Sequence, residues 1–411
     1  MKNWLKRESW DRLRASVVLL ALSAVTGALA GVMTAVFGHG VLAVTGVREA
    51  YPLLLVLLPA GGALICFAYS RWGEGCSHGM ALVFDAVTGR RKDVPTRLIP
   101  LAVGSTWLGH LFGASVGREG VAVQIASAGA SLLTPAIRTP RDKHRLLMAG
   151  VAAGFAGLFR TPLAAVFFSL ELFHTGVMEY ESLLPAVVAA LIASAVSGAL
   201  GVNPPVSGLN AAVPAWTAET LIALAVLGVA SGLAGRLFVF LLHSLHDRLA
   251  RWIPNPYLRI VLVGALVALF GFATAGRYNG LSEEISAAAL AGGQLYAWDW
   301  LAKLCLTAVC LSAGFQGGEV APLFTVGAAL GAVLAAPLGL PVDLAAALAY
   351  AAVFAAGTNT FAAAILVGLE LFGGQYFGCL FLVCTVAYAC NGSHSIYPQR
   401  PLSVEHGEHQ D

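Results

Sequence analysis

Residues 113–122 read G-A-S-V-G-R-E-G-V-A, and this stretch decides how the rest of the chain is interpreted. Arg118 and Glu119 carry its two charges, and they are the only formal charges between Leu98 and Ile137. The residues around them are apolar or small. An ionisable residue inside a membrane-compatible segment is costly to keep there, so its presence indicates a functional site.

The composition predicts an all-α integral membrane protein. The chain has 411 residues, of which 58% are hydrophobic and 11% charged, whereas soluble domains carry about 25% charged residues. Apolar runs of roughly twenty residues, long enough to cross a bilayer, recur from Ala15 to Ala389. The net charge of +2 and the lack of a basic stripe argue against nucleic acid as a partner.

The N-terminus and two internal basic clusters predict the orientation. Residues 1–14 are basic, and the positive-inside rule places them in the cytoplasm. A signal peptide cleaved near residues 28–30 is the alternative, but the apolar run continues to Ala43. The clusters at 90–92 and 138–145 face the cytoplasm by the same rule. We therefore expect a multi-pass membrane protein with its N-terminus in the cytoplasm.

The sequence contains no recognisable motif for catalysis or metal binding. The seven cysteines form no C-x-x-C pair, and no Ser/His/Asp arrangement, phosphate loop or H-E-x-x-H motif occurs. We expect neither an enzyme nor a metal or other cofactor.

Two segments of the chain recur at a separation of about 200 residues. G-R-E at 117–119 matches G-G-E at 317–319, and the L-E-L-F ends of 162–173 and 361–372 place Glu171 and Glu370 199 positions apart. Internal duplication of this kind is typical of transporters. The predicted organisation is a cytoplasmic N-terminus (1–14), a first repeat (15–200), a connecting loop (201–216), a second repeat (217–397) and a polar tail (398–411).

A glycine cluster precedes a helix-compatible run in each repeat, so each repeat is expected to start a helix within the membrane. A helix N-terminus presents free N–H groups and a partial positive charge, and two such ends make an anion site. Glu119 at the first turn can occupy the place of the anion and leave when it is protonated. Arg118 either strengthens the anion site or pairs with a carboxylate.

Three motifs resemble those of the CLC family of chloride channels and transporters. G-R-E-G-V-A-V-Q from residue 117 resembles the family's G-R-E-G-P signature, A-G-L-F-R-T-P-L-A-A-V-F-F-S-L-E from residue 156 resembles a second segment, and S-I-Y-P-Q-R near Tyr397 resembles the region of its anion-coordinating tyrosine. The resemblance implies a fold of two inverted repeats with broken, partly re-entrant helices, and a homodimer.

Two departures from the chloride-type pattern resemble the bacterial fluoride-type branch, which exchanges fluoride for protons. Met80 stands in place of a pore-lining serine, and Glu319 follows the second glycine cluster. The resemblance implies that Glu119 is the gating glutamate and proton carrier, with Glu319 as a second proton-transfer carboxylate. The expected anion-binding residues are Met80, Gly117, Arg118, Glu119, Gly120, Val121, Gly318, Glu319, Val320, Ala321 and Tyr397.

Other functions stay open on the sequence alone. Leu172 stands where chloride/proton exchangers carry an inward-facing glutamate, and Ala321 offers no hydroxyl to the ion. A chloride/proton exchanger or a passive chloride channel is therefore the alternative. A membrane-embedded enzyme using Glu119 and Glu319 as an acid/base pair is the alternative from a different class.

Overall fold

The computed structural model describes residues 2–76, 79–206 and 208–399, with the backbone alone for residues 2–12. Within these residues the chain forms sixteen α-helices and no β-strand. The first eight are α1 (Lys2–Ala50), α2 (Leu58–Trp72), α3 (Met80–Val87), α4 (Leu98–Phe112), α5 (Glu119–Ser131), α6 (Pro140–Phe159), α7 (Pro162–Glu171) and α8 (Leu183–Ala199). The second eight are α9 (Ala218–Trp252), α10 (Pro256–Ala273), α11 (Glu283–Leu290), α12 (Asp299–Ala313), α13 (Val320–Ala335), α14 (Val342–Thr358), α15 (Phe361–Phe372) and α16 (Phe377–Asn391).

Six helical segments among the described residues are long and apolar enough to cross a membrane, as the composition predicts. They are Leu13–Ala50, Pro52–Trp72, Tyr180–Ala199, Ala218–Trp252, Pro256–Ala273 and Gly374–Asn391. Their apolar side chains are exposed on the outside of the protein, where lipid replaces water as the solvent. The protein is a multi-pass membrane protein.

Several helices are too short to cross. At a rise of ~1.5 Å per residue, the 13 residues of α5 reach about 20 Å and the 8 residues of α3 about 12 Å, against a hydrocarbon core of ~30 Å. Every residue of α5 is buried, so its ends lie inside the protein rather than in lipid. This arrangement confirms the prediction of broken, partly re-entrant helices.

Two helices in the first group of eight have the same length as the helix at the matching place in the second group. α3 and α11 each have 8 residues, and α4 and α12 each have 15. The segment predicted as a connecting loop, 201–216, lies between α8 and α9. Residues 400–411, most of the predicted polar tail, lie outside the described residues.

Glycines let the short central helices pack closely against their neighbours. A Cβ on Gly154 of α6 would lie 2.6 Å from the Ala122 carbonyl oxygen of α5, and one on Gly327 of α13 would lie 2.8 Å from the Tyr350 Cα of α14. Backbone approach of this kind favours tight helix packing in membranes, where the hydrophobic effect does not drive association. The packing fixes α5 and α13 at the centre of the protein.

Candidate anion site between two helix N-termini

The glycine-rich segments of the two halves meet in the interior. Gly117 N–H donates to the Gly318 carbonyl (2.7 Å), and Gly318 N–H donates to the Gly117 carbonyl (2.8 Å). α5 begins two residues after Gly117, and α13 begins two residues after Gly318. The N-termini of α5 and α13 therefore lie side by side, in the arrangement that the repeated G-x-E pattern predicts.

Both segments start from a left-handed residue that ends the preceding helix. Gly113 (φ +91°) follows α4, and Gly314 (φ +113°) follows α12. Glycine adopts this conformation without the strain that a Cβ causes, and it commonly ends helices. Each turn directs the chain back into the protein toward the next helix start.

The approach of the two backbones leaves no room for side chains at the meeting point. A Cβ on Gly117 would lie 2.7 Å from the Gly318 carbonyl oxygen, and a Cβ on Gly318 would lie 2.7 Å from the Gly120 backbone nitrogen. Since these neighbours are backbone atoms, they cannot move aside as a flexible side chain can. Glycine is required at both positions by close approach.

The carboxylate of Glu119 lies at the N-terminus of the other half's helix. Its Oε2 accepts hydrogen bonds from the Ala321 N–H (3.0 Å), in the first turn of α13, and from the Arg118 N–H (3.2 Å). The side chain is 3% exposed. A negative charge at a helix N-terminus is stabilised by the free N–H groups and the helix dipole, so these donors form a site for an anionic oxygen.

Arg118 pairs with carboxylates on both sides. Its Nε lies 3.6 Å from Glu119 Oε1, and its Nη2 lies 3.3 Å from Glu283 Oε1. The guanidinium is 8% exposed, whereas the Glu283 side chain is 53% exposed. Arg118 thus connects the buried glutamate to an acid at the surface.

Glu319 lies beside the start of the opposite helix. The residue immediately precedes α13, and its Oε2 lies 3.2 Å from the position that a Cβ on Gly120 would take, in the first turn of α5. Among the described residues this buried oxygen has no hydrogen-bond partner.

Met80 lies beside this region, and Tyr397 packs on the helix that Met80 begins. Met80 is the buried first residue of α3, and its Cγ lies 4.0 Å from the same Cβ position at Gly120. Tyr397 is buried, with its ring centroid 5.8 Å from that of Phe84 in α3. In the described part of the chain the Tyr397 hydroxyl has no hydrogen-bond partner. The first turns of α5 and α13 supply the other predicted residues, Gly120, Val121, Val320 and Ala321.

A cavity of about 340 Å³ leads to the Glu119 carboxylate. Glu119 and Ala321 lie on its wall together with Arg118, Glu283 and Tyr350. The arrangement can therefore hold an anion between two helix ends, and the cavity connects the Glu119 carboxylate to the partly exposed Glu283.

Sequence reasoning missed a buried lysine that joins the two halves. Lys303 is fully buried in α12, and its Nζ donates to the Gly280 carbonyl (2.6 Å) and to Ser115 Oγ (3.0 Å). The available signal was its position, immediately before residues 304–342, in which Glu319 is the only formal charge. Its contact with the segment between α4 and α5 depends on the tertiary fold and leaves no local pattern.

The model of the voltage gated chloride channel family matches residues 61–392. A curated chloride/fluoride channel protein of Pseudomonas syringae pv. tomato is 37% identical over 418 aligned residues, covering 100% of this chain and 91% of the relative. A solved CLC-type fluoride/proton antiporter is 42% identical, with a TM-score of 0.91 over 94% of this chain and 98% of the other. A slow cyanobacterial Cl⁻/H⁺ antiporter, 19% identical with a TM-score of 0.79 over 91% of this chain and 94% of the other, shares the fold.

Proposed function

Since this chain belongs to the voltage gated chloride channel family, the CLC family, we propose that it exports fluoride across the membrane in exchange for protons. The observation that carries the proposal is the Glu119 carboxylate, which accepts the Ala321 N–H at the start of α13. A carboxylate that occupies the position of the anion leaves it when it takes up a proton. Entry of the anion is then coupled to protonation of the carboxylate. The 42% identity to a CLC-type fluoride/proton antiporter over nearly the whole chain supports fluoride as the ion.

The exchange step follows from the difference between the ionised and the protonated form of Glu119. As a carboxylate it accepts the N–H groups of Ala321 and Arg118 and keeps other anions out. When it takes a proton, its charge is lost and these charge-assisted hydrogen bonds weaken. Fluoride then replaces the carboxyl group at the same donors, while the neutral acid carries its proton away.

Fluoride suits such a site because it is small and strongly hydrated. It needs several N–H or O–H donors at short range to replace its water, and the two helix ends and the Tyr397 hydroxyl supply donors of this type. Met80 offers no strong donor, and we assign it to narrowing and drying the site against chloride. Ala321 contributes its backbone N–H alone.

Glu319 is proposed as the second proton-transfer group. Leu172 is apolar and buried at the position where chloride/proton exchangers carry an inward-facing glutamate. A proton therefore needs another carboxyl group on its way through the protein. Glu319, whose Oε2 is buried against the start of α5, is placed to serve this step.

We place the protein in the bacterial inner membrane with residues 1–14 in the cytoplasm. α1 then ends on the outer face, and the basic segments 90–92 and 138–145 face the cytoplasm. The family resemblance implies a homodimer with one anion pathway in each subunit. An inward proton gradient drives fluoride outward in this orientation.

Efflux from loaded liposomes tests the proposal. Purified protein is reconstituted into vesicles that contain fluoride or chloride, and ion release is recorded together with the external pH. We expect rapid fluoride efflux, coupled proton uptake and much slower chloride efflux. Equal rates for the two ions would favour a chloride exchanger, and fluoride efflux without proton movement would favour a channel. The absence of any flux would favour the enzyme alternative.

A further inference from the structure

Glu283 is held beside Arg118 by the short segment that precedes α11. Ser282 and Gly280 are both left-handed (φ +57° and +62°), so the chain turns sharply into the helix. Gly280 N–H donates to the Ala114 carbonyl (3.1 Å), and its own carbonyl accepts from Lys303 Nζ. The segment before α11 is thus tied to the segment that carries Arg118, and Glu283 has a fixed place.

α11 is also joined to α13, the helix whose N-terminus holds the Glu119 carboxylate. Ser286 Oγ donates to Thr325 Oγ1 (2.9 Å), and Thr325 Oγ1 donates to the Ala321 carbonyl (3.3 Å). Ala321 is the residue whose N–H binds Glu119. α11 is therefore linked to Ala321 through buried side chains, and its first residue, Glu283, pairs with Arg118 although the Glu283 side chain is 53% exposed.

We propose that Glu283 is a positioning acid in the cavity that leads to Glu119, and that it controls through Arg118 how readily Glu119 takes a proton. This inference rests on the proposed exchange of fluoride for protons. When both glutamates are ionised, one guanidinium is shared between two carboxylates. When Glu119 is protonated, Arg118 pairs with Glu283 alone, so the guanidinium keeps a partner throughout the cycle and stays out of the anion position.

The expected direction follows from the charges around the cavity. An ionised Glu283 draws Arg118 away from Glu119 and adds a second negative charge, and both effects favour the protonated form of Glu119. The other charged or titratable groups on the cavity wall are Glu284 and Tyr350. Glu319 precedes α13, and Arg48, Glu49 and Arg277 line the adjacent cavity, which shares Glu283 and Glu284.

Glu283→Gln removes the charge and keeps the shape of the side chain. We expect the pH of half-maximal fluoride–proton exchange to fall by about half a unit in liposomes, since the pair is partly exposed and solvent screens it. The internal and external pH are varied together, so the orientation of the inserted protein does not matter. Glu283→Asp, which keeps the charge, is expected to stay closer to the wild type.

Glu284→Gln is the matched control, because it removes the same charge from the same turn of α11 and Glu284 forms no ion pair with Arg118. We expect its pH profile to stay within a tenth or two of a unit of the wild type. An unshifted Glu283→Gln profile, or an equal shift in both variants, would overturn the inference while leaving the proposed function intact. If the wild-type protein shows no coupled exchange, the proposed function itself fails.

Discussion

Glu171 and Glu370 each cap the N-terminus of the helix that carries the other. Glu171, the last residue of α7, accepts the N–H groups of Ala362 (2.8 Å) and Ala363 (3.1 Å) at the start of α15. Glu370, near the end of α15, accepts those of Leu163 (3.1 Å) and Ala164 (2.8 Å) at the start of α7. The two antiparallel helices are thus joined at both ends by carboxylates that satisfy free backbone donors.

Removing either cap is expected to destabilise the protein without stopping transport. Glu370→Ala leaves two backbone N–H groups without their acceptor and should cost about 1–2 kcal/mol, with Glu171→Ala giving a similar loss. Thermal unfolding in detergent measures the change. The exposed residue Glu74 provides the control, because Glu74→Ala removes a carboxylate that caps no helix. An unchanged melting temperature together with lost fluoride exchange would instead assign the pair to transport.

The sequence identified these two glutamates as a pair but left their role open. Their separation of 199 residues follows from the internal duplication, which is visible in the residues themselves. That each one caps the helix of the other half depends on the antiparallel packing of α7 and α15. Sequence periodicity contains no information about this contact, because it joins residues that lie more than 190 positions apart.

Gly318→Ala is expected to disrupt the anion site. The added Cβ would lie 2.7 Å from the Gly120 backbone nitrogen and 3.1 Å from that of Glu119, so the two helix ends must move apart. We predict at least a ten-fold loss of fluoride exchange, since displacements of about 1 Å at a site can cost two orders of magnitude in rate. Efflux from liposomes checks this.

Gly104→Ala is the control for this steric effect. Gly104 lies within α4, and a Cβ there would meet no atom within 4 Å. Alanine also favours helix more than glycine does. We expect normal exchange from this variant. Normal exchange from Gly318→Ala as well would show that the glycine contact between the two halves is unimportant for transport.

Glu119→Gln is expected to separate fluoride movement from proton movement. The amide is neutral at every pH, so it resembles the protonated acid but carries no exchangeable proton. We predict that fluoride efflux continues while coupled proton uptake is lost. Simultaneous recording with a fluoride electrode and a pH electrode gives the ratio of the two ions. An unchanged ratio would remove Glu119 from the proton pathway.

The backbone of the site could be predicted from the sequence, whereas the contacts between its side chains could not. The glycine clusters and isolated charges predicted that α5 and α13 begin inside the membrane, and the structure places their N-termini together. The partner of Arg118 could not be predicted, because Glu283 lies 165 positions away in a segment with no distinctive pattern. Lys303 was missed for the same reason, since its hydrogen bonds join segments that only the tertiary fold brings together.

Glu179 lies outside the membrane-spanning segments, in the loop between α7 and α8, and it contacts two histidines. Its carboxylate lies 2.5 Å from His144 Nε2 and 2.7 Å from His174 Nδ1. Burial would raise the pKa of Glu179, but the hydrogen bonds and charges of the two histidines outweigh it and hold the pKa below its ordinary value. A lowered folded-state pKa contributes stability that is present above the unfolded value of about 4.3 and is lost as the pH falls through the lower folded value.

Glu179→Gln should therefore destabilise the protein at neutral pH and have little effect in strong acid. We expect a loss of about 2 kcal/mol at pH 7, the size of hydrogen bonds to a charged group, and a difference from the wild type that shrinks below about pH 4. Thermal unfolding across this pH range measures both. Glu181→Gln is the control, because Glu181 pairs with Arg145 at the exposed surface, where ion pairs contribute little. A difference between the Glu179→Gln variant and the wild type that stays constant with pH would show that the carboxylate charge does not stabilise this loop.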